Sequence, residues 1–264
     1  MKVTIIGAGN MGGAIARGLS QGSMIEPCNI TCTAKSADTI QRLSAQHKQW
    51  CFSRDNRAAA ASADIIILAV KPWFIEGVIN EIRPSLDLSR QIIISVAASV
   101  TLEDLQRWLQ LDGNRHAAIF KAIPNTAVEV MCGTTFIAAA GATQEQKEYV
   151  VEMFNQMGYA TLVEESKIDA GMALASCGIA FAMRYIRAAA EGGVELGFYP
   201  KDAQKIAALT VKGAAELLLQ SGNHAEAEID KVTTPGGITI RGLNEMEHAG
   251  FTSAVIRGLK ACLK

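Results

Sequence analysis

The chain has 264 residues, enough for one large α/β domain or two smaller ones at roughly 150 residues per domain. Apolar residues make up 49% and charged residues 19%, which argues against disorder, and a formal net charge of -1 argues against non-specific binding of nucleic acid or anionic membranes. The apolar runs 65–70 and 92–100 fall well short of the about 20 residues that a membrane-spanning helix needs, and the glycine-interrupted N-terminus does not read as a signal peptide.

The first predicted elements are a short β-branched strand at 2–6 and a helix at 14–20. Between them lies the fingerprint turn, residues 7–12, which consists of Gly7, Ala8, Gly9, Asn10, Met11 and Gly12. In G-x-G-x-x-G the glycines permit a tight turn, close approach of the backbone to a pyrophosphate, and close packing of helix against strand. The motif alone is weak evidence, but its place between a strand and a helix favours dinucleotide binding over an ordinary glycine-rich turn.

The second predicted strand, 29–33, ends about 20 residues past the fingerprint turn, where an Asp or Glu would hold the ribose 2′-hydroxyl of NAD. The sequence there is Thr33-Ala34-Lys35-Ser36, with no acid. Hydroxyls and a cation suit the 2′-phosphate of NADP, although Lys35 by itself is equally compatible with a solvated loop residue. The missing acid is the stronger indication, so we expect NADPH to be preferred over NADH, with Lys35 near the 2′-phosphate.

Helices at 38–47 and 58–63 and a weak strand at 50–52 follow. The continuous apolar runs 64–70 and 91–97 predict parallel strands buried on both faces. Cofactors bind at the carboxyl ends of such strands, so the cofactor cleft is expected to be lined by Ala69, Val70, Lys71 and Pro72. A strand at 117–122, two edge strands at 134–140 and 160–163, and a helix at 144–157 complete a predicted doubly wound α/β sheet.

No strand is predicted after residue 163. Residues 166–196 read as one long Ala-rich helix, with Gly178 as the place for a kink, followed by helices at 201–220, 238–248 and 252–263. A helical domain of about 100 residues that is so rich in Ala and Gly has a thin core. We therefore predict a Rossmann-type dinucleotide-binding domain at 1–163 and an all-helical domain at 164–264 that binds substrate and forms a homodimer or higher homo-oligomer.

The helical region contains the glycine loop, residues 233–239, with the sequence Thr-Thr-Pro-Gly-Gly-Ile-Thr. Thr233 or Thr234 is a candidate N-cap for the helix that follows. Free amides at that helix end, approachable because of the glycines, can bind a carboxylate or a phosphate. The loop holds no carboxylate, His or Cys, so it is no acid/base dyad, metal site or thiol nucleophile, and an ordinary capped turn is the alternative.

Six scattered cysteines lie outside any Cys-x-x-Cys motif and away from histidines at ligand spacing, which predicts reduced, mostly buried thiols, no metal site and a cytoplasmic protein. The histidines also lie outside the motifs and are expected to be ordinary surface or core residues; they are His47, His116, His224 and His248.

With these segments in place, the chain resembles the pyrroline-5-carboxylate reductases along nearly its whole length. The matching segments are residues 7–12, Asp55-Asn56, 69–72, Pro124-Asn125-Thr126, the helix from Asp169, and above all 232–239, which is the specific signature. The resemblance implies reduction of 1-pyrroline-5-carboxylate to proline with NAD(P)H, by a Rossmann domain joined to a helical domain that interlocks with a partner subunit. It also implies that residues 7–12, Asn56 and 69–72 hold the cofactor. The residues implied to hold the substrate are Thr234, Gly236, Gly237 and Thr239.

Two positions and one short segment depart from the pattern of that family. Lys121 stands where an Arg is usual, Ala127 where a Pro commonly follows Pro-Asn-Thr, and residues 175–179 replace a usual Ser-Gly-Ser-Gly-Pro. We expect these to alter local packing and helix shape more than chemistry. Hydride transfer to a protonated imine needs alignment rather than a strong protein acid, and Thr239 is the predicted catalytic residue, through a hydrogen bond or proton relay to the substrate nitrogen.

Two other functions remain open at this point. A Rossmann dehydrogenase of the β-hydroxyacid or 2-ketoacid type shares the two-domain plan but usually needs a Lys or His acid/base in the helical domain, and no lysine there has a recognisable catalytic setting. A non-enzymatic NADP-binding sensor or scaffold would share only the cofactor site.

Overall fold

The structure is a computed structural model that describes residues 1–111 and 117–263, so His116 lies outside the described residues. The chain divides into two compact units, Met1–Ser176, here the N-terminal unit, and Cys177–Lys264, here the C-terminal unit.

The N-terminal unit is built on one eight-stranded sheet. Its strands are β1 Val3–Ile6, β2 Ile30–Thr33, β3 Cys51–Ser53, β4 Ile65–Leu68, β5 Ile92–Ser95, β6 Ala118–Pro124, β7 Gly133–Ala140 and β8 Gly158–Leu162. They lie in the order β3-β2-β1-β4-β5-β6-β7-β8, and every neighbouring pair is parallel except the antiparallel pair β6 and β7. The predicted fold class, a doubly wound sheet followed by helices, is confirmed.

The prediction that residues 134–140 form an edge strand is wrong. β7 pairs with β6 on one side and with β8 on the other, so it lies inside the sheet. Only β8 lies at that edge of the sheet. The chain returns directly from β6 into the antiparallel β7, and the crossover that follows adds β8 outside it. The sequence of β7 is as compatible with a strand at the edge of a sheet as with one inside it, so it could not distinguish these two positions.

In the part of this unit that the structure describes, seven helices accompany the sheet: α1 Asn10–Gln21, α2 Ala37–Gln46, α3 Asn56–Ala61, α4 Pro72–Ile82, α5 Leu102–Leu109, α6 Gln144–Asn155 and α7 Ile168–Gly171. Two hydrophobic clusters lie on opposite faces of the sheet. One contains Ile15 of α1 and Phe154 of α6, and the other contains Ile75 of α4 and Leu105 of α5. Burial on both faces explains why β4 is apolar throughout and β5 is apolar up to its last residue, the buried Ser95.

The predicted single helix at 166–196 is wrong in its middle. Helical structure there consists of a 3₁₀ turn at Glu165–Lys167, then α7, a π-helix at Met172–Cys177, and α8 at Gly178–Glu195. A π-helix bonds each residue to the fifth one along and so accommodates an extra residue, often at functional sites. The departure from the family pattern at 175–179 falls on this segment, and the apolar periodicity does not reveal it.

The C-terminal unit is entirely helical in its described part, with α8 followed by α9 Pro200–Ser221, α10 Ala225–Asp230, α11 Ile238–His248 and α12 Phe251–Ala261. Its buried apolar residues are the two alanines Ala190 and Ala203, while large apolar side chains such as Leu209 and Leu219 are exposed in the single chain. Among the described residues, no helix combines the length and the apolar character needed to cross a membrane.

Candidate cofactor and substrate sites

Four loops meet at the carboxyl edge of the sheet. In the parallel register, Ile6 of β1 pairs with Thr33 of β2 and with Leu68 of β4, and Thr33 pairs with Ser53 of β3. The chain therefore leaves these four strands at one edge, which brings together residues 7–12, 34–36, 54–56 and 69–72. Hydrogen bonds link the first of these loops to the end of β2, because the amides of Gly7 and Ala8 donate to the Thr33 carbonyl at 3.1 and 2.8 Å.

The three glycines of the fingerprint turn have different reasons to be glycine. Gly7 has a φ of +99°, and a Cβ there would lie 2.7 Å from Cγ1 of Val70. A Cβ at Gly12 would overlap the carbonyl oxygen of Gly7. At Gly9, by contrast, a Cβ would meet nothing within 4 Å. The protein's own packing requires two of the glycines, whereas the third faces open space, where the pyrophosphate of a dinucleotide would approach the backbone.

The N-terminus of α1 next to this open space is uncapped. Gly9 is the N-cap, it has no side chain to accept a hydrogen bond, and no acidic residue lies in the first turn. The first amides of a helix have no partner within the helix, and together with the helix dipole they favour a bound anion. The residues present therefore fit a phosphate group at this helix end.

A chain of hydrogen bonds orients Asn56 at the start of α3. The Thr33 hydroxyl donates to Oδ1 of Asn56 at 2.7 Å, and Nδ2 of Asn56 donates to Oε2 of Glu81 at 3.1 Å. These two contacts fix which way the amide points. On the adjacent loop, Nη2 of Arg54 donates to the carbonyl of Lys35 at 3.4 Å.

Glu81 and Arg54 were not identified from the sequence. Glu81 lies 25 residues after Asn56 on α4, and no motif links the two. Arg54 could have been found, since it directly follows β3, the neighbour of β2, and so reaches the same edge as Lys35.

The thiol on β2 takes no part in chemistry at neutral pH. Cys32 is fully buried, and burial raises the pKa of its thiol to about 12, partly offset by the charge of Arg17. The thiolate is the nucleophilic form, so Cys32 is inert. The prediction of mostly buried thiols is nevertheless wrong: Cys28, Cys51 and Cys132 are exposed, because they lie in or beside loops and on the edge strand β3 rather than in the core. The described residues contain no cluster of three or more His, Cys, Asp or Glu suited to a metal ion.

In the C-terminal unit the glycine loop forms a tight turn. The Gly237 amide donates to the Thr234 carbonyl at 2.9 Å, and Gly236 has a φ of +70°. Pro at the second position and a positive φ at the third are typical of a type II turn. A Cβ at Gly237 would lie 2.5 Å from Oγ1 of Thr234, so the Thr234 side chain would have to shift, whereas the positive φ of Gly236 favours glycine through the backbone itself.

The predicted threonine cap of the next helix is wrong. The N-cap of α11 is Gly237, and no side chain caps it. The turn separates Thr234 from the helix by three residues, while the Thr233 hydroxyl donates backwards to the carbonyl of Ile229 at 3.2 Å. The first amides of α11 consequently have no side-chain acceptor, and Thr239, the second residue of the helix, is exposed beside them.

The mostly parallel sheet and the open, uncapped fingerprint turn define a dinucleotide-binding protein of the Rossmann class. Residues 2–99 match the family described as NADP oxidoreductase, coenzyme F420-dependent. Residues 165–264 match the family described as pyrroline-5-carboxylate reductase dimerisation.

Known relatives agree with these matches. The chain is 39% identical to pyrroline-5-carboxylate reductase 1 of Dictyostelium discoideum over 97% of its own length and 48% of that protein, so it spans about half of that relative. It is 36% identical to pyrroline-5-carboxylate reductase of Methanosarcina acetivorans, covering 97% of this chain and 94% of that one. A crystal structure of the Plasmodium falciparum pyrroline carboxylate reductase with NADP bound has a TM-score of 0.87 at 26% identity, over 99% and 95% of the two chains. The chain belongs to the pyrroline-5-carboxylate reductase family, a family of oxidoreductases, and the predicted resemblance is confirmed.

Proposed function

We propose that the chain reduces 1-pyrroline-5-carboxylate to L-proline, the last step of proline biosynthesis, with NADPH as the preferred hydride donor. Family membership supports the proposal, and the observation that carries it is the uncapped start of α11, with the Gly236-Gly237 turn leading into it and the Thr239 hydroxyl beside it. A helix start without a capping side chain can bind the carboxylate of such a substrate.

The four loops at the carboxyl edge of the sheet support the proposed cofactor residues. When NADPH is bound, its reduced nicotinamide ring supplies the hydride. The first amides of α1 would hold the pyrophosphate of NADPH, and the remaining loops would hold its adenosine and nicotinamide halves. The proposed cofactor residues are Gly7, Ala8, Gly9, Asn10, Met11, Gly12, Lys35, Asn56, Ala69, Val70, Lys71 and Pro72.

The substrate residues lie in the glycine loop. Amides at Gly237 and after it, assisted by Gly236 and Thr234, would hold the carboxylate. The ring nitrogen of the imine is next to the carbon that bears the carboxylate, so it would lie about one residue further along, at Thr239. The Thr239 hydroxyl would donate a hydrogen bond to that nitrogen or relay a proton to it, which is the catalytic role we assign.

Assembly and location complete the proposal. The exposed apolar side chains of the C-terminal unit and the match of residues 165–264 to a dimerisation family support a homodimer or higher homo-oligomer joined through the helical domain. The proposed boundary of that domain near residue 163 follows the start of the family match, whereas the compact units divide after Ser176. The partner molecule is a small substrate rather than a nucleic acid or a membrane, in keeping with the formal net charge of -1, and the expected compartment is the cytoplasm.

Turnover by the purified chain tests the proposal. The absorbance of reduced nicotinamide should fall when 1-pyrroline-5-carboxylate is added, faster with NADPH than with NADH, and L-proline should accumulate in equal amount. Oxidation of a 3-hydroxy acid without imine reduction would favour the dehydrogenase alternative. Tight NADP binding without turnover of either substrate would favour a sensor.

A further inference from the structure

We propose that Arg54 is a second cation for the 2′-phosphate of NADPH, beside Lys35, and that it helps to determine cofactor choice. The proposal rests on the proposed function, because it needs a dinucleotide at the fingerprint turn. The sequence predicts Lys35 as the cation for the 2′-phosphate and does not predict Arg54.

Strand register places Arg54 at this position. β3 pairs in parallel with β2, and Ser53 lies opposite Thr33, so the next residues of both strands emerge side by side. The contact is direct, since Nη2 of Arg54 donates to the Lys35 carbonyl at 3.4 Å. The guanidinium therefore lies against the loop where an acid would otherwise hold the ribose of NAD.

Thr33, the residue before the loop at 34–36, connects that loop to the fingerprint turn and to Asn56 through hydrogen bonds. Its carbonyl accepts hydrogen bonds from the amides of Gly7 and Ala8, and its hydroxyl donates to Asn56. A dinucleotide with its pyrophosphate on α1 extends its adenosine ribose toward the end of β2. The ribose 2′-substituent would then lie between the fingerprint turn and the loop that carries Arg54.

The guanidinium has the chemistry that a phosphate requires. Of its five N–H donors, the carbonyl contact uses one, which leaves a fork able to bind a phosphate through two hydrogen bonds. Arg54 and Lys35 are both exposed, and within the described residues neither forms a salt bridge.

The nearby carboxylates are engaged elsewhere or lie on the next helix. Oδ1 of Asp55 accepts from the Ala58 amide and caps α3, and Glu81 accepts from Asn56. Asp38 lies in the first turn of α2, where it complements the helix dipole. A dianionic phosphate would thus meet two cations whose charge no carboxylate neutralises by direct contact.

The contact between Arg54 and the 2′-phosphate can be measured by comparing how two small nucleotides bind to the full chain. Calorimetric titration should use 2′,5′-ADP, which carries the 2′-phosphate, and 5′-ADP, which lacks it. Arg54→Gln should weaken 2′,5′-ADP binding by about tenfold or more, as expected for a charge-assisted hydrogen bond, and change 5′-ADP binding by less than about twofold. Arg54→Lys keeps the charge but loses the fork, so its 2′,5′-ADP affinity should be intermediate.

Lys48→Gln is the matched control, because it removes the same charge at the amino end of β3, away from the carboxyl edge, and should bind both nucleotides as the unmodified chain does. Arg54→Gln with unchanged 2′,5′-ADP affinity, or with equal losses for both nucleotides, would overturn the inference. Failure of the unmodified chain to bind either nucleotide would overturn the proposed cofactor site as well. Circular dichroism of each variant verifies that the fold is intact.

Discussion

The two units of this chain bury their apolar residues in opposite ways. In the N-terminal unit, helices cover both faces of the sheet, and large side chains such as Phe120 and Phe154 have 1% or less of their surface exposed. In the C-terminal unit the buried apolar residues are alanines, while Leu219 is 80% and Leu209 58% exposed. One unit has its core within a single chain, and the other presents the surface that a second copy would cover. The two units should therefore respond differently to substitution.

The largest expected effect is on chemistry in the C-terminal unit. Thr239→Val keeps the shape of the side chain and removes its hydroxyl. If the hydroxyl transfers or directs a proton, kcat should fall by roughly 10²–10⁴, while NADPH affinity, which we propose to depend on the N-terminal unit, stays nearly unchanged. Steady-state kinetics and a cofactor titration measure both. A larger rise in KM than fall in kcat would indicate positioning alone, and normal turnover in folded protein would end the assignment.

The next prediction contrasts a residue of the internal core with an exposed one. Phe120→Ala should lower the free energy of unfolding by about 3–5 kcal/mol at every protein concentration, because it leaves a cavity between sheet and helices. Leu209→Ser should instead weaken self-association. Burial of one leucine is worth about 1.5–3 kcal/mol and counts twice in a symmetric dimer, so the dimer Kd should rise by roughly 10²-fold or more.

Denaturant unfolding at several concentrations and sedimentation velocity distinguish the two variants. Concentration-independent destabilisation by Leu209→Ser, with unchanged assembly, would show that the C-terminal unit is stabilised within one chain. The comparison between the units would then be wrong.

A smaller effect separates packing from binding inside the N-terminal unit. Gly7→Ala should lower the free energy of unfolding by roughly 1–3 kcal/mol, because alanine is strained at a φ of +99°. Gly9→Ala should leave stability nearly unchanged, since its Cβ enters open space, and should raise the KM for NADPH. Thermal unfolding and kinetics of the two variants check this. Equal destabilisation by both would contradict the assignment of the open space to a ligand.

The smallest expected effect concerns cofactor choice. Lys35→Ala should raise the KM for NADPH by about tenfold, the equivalent of one charge-assisted contact, and change the KM for NADH far less. The ratio of kcat/KM for the two cofactors is the measurement. If both cofactors lose equally, Lys35 does not contact the 2′-phosphate.

The sequence determined the class of fold and the loops that carry the site. Continuous apolar runs predicted β4 and β5, and the glycine spacing predicted the turn between β1 and α1, because these signals are local and each reflects one element's surroundings. The predicted start of α3 at residue 58 is two residues late, because the side chain of Asp55 caps the helix and it begins at Asn56.

Only the tertiary structure decided the rest, because the remaining features depend on residues far apart in sequence. The place of β7 inside the sheet depends on β8 pairing beside it, the orientation of Asn56 depends on Glu81 of α4, and the neighbourhood of Arg54 and Lys35 depends on the register of β3 against β2. The π-helix at Met172–Cys177 and the glycine N-cap of α11 lie between these extremes. Both are local in sequence. Hydrophobic periodicity does not reveal the one extra residue of the π-helix, and capping preferences do not reveal the turn that separates Thr234 from α11, because both rules describe the average helix.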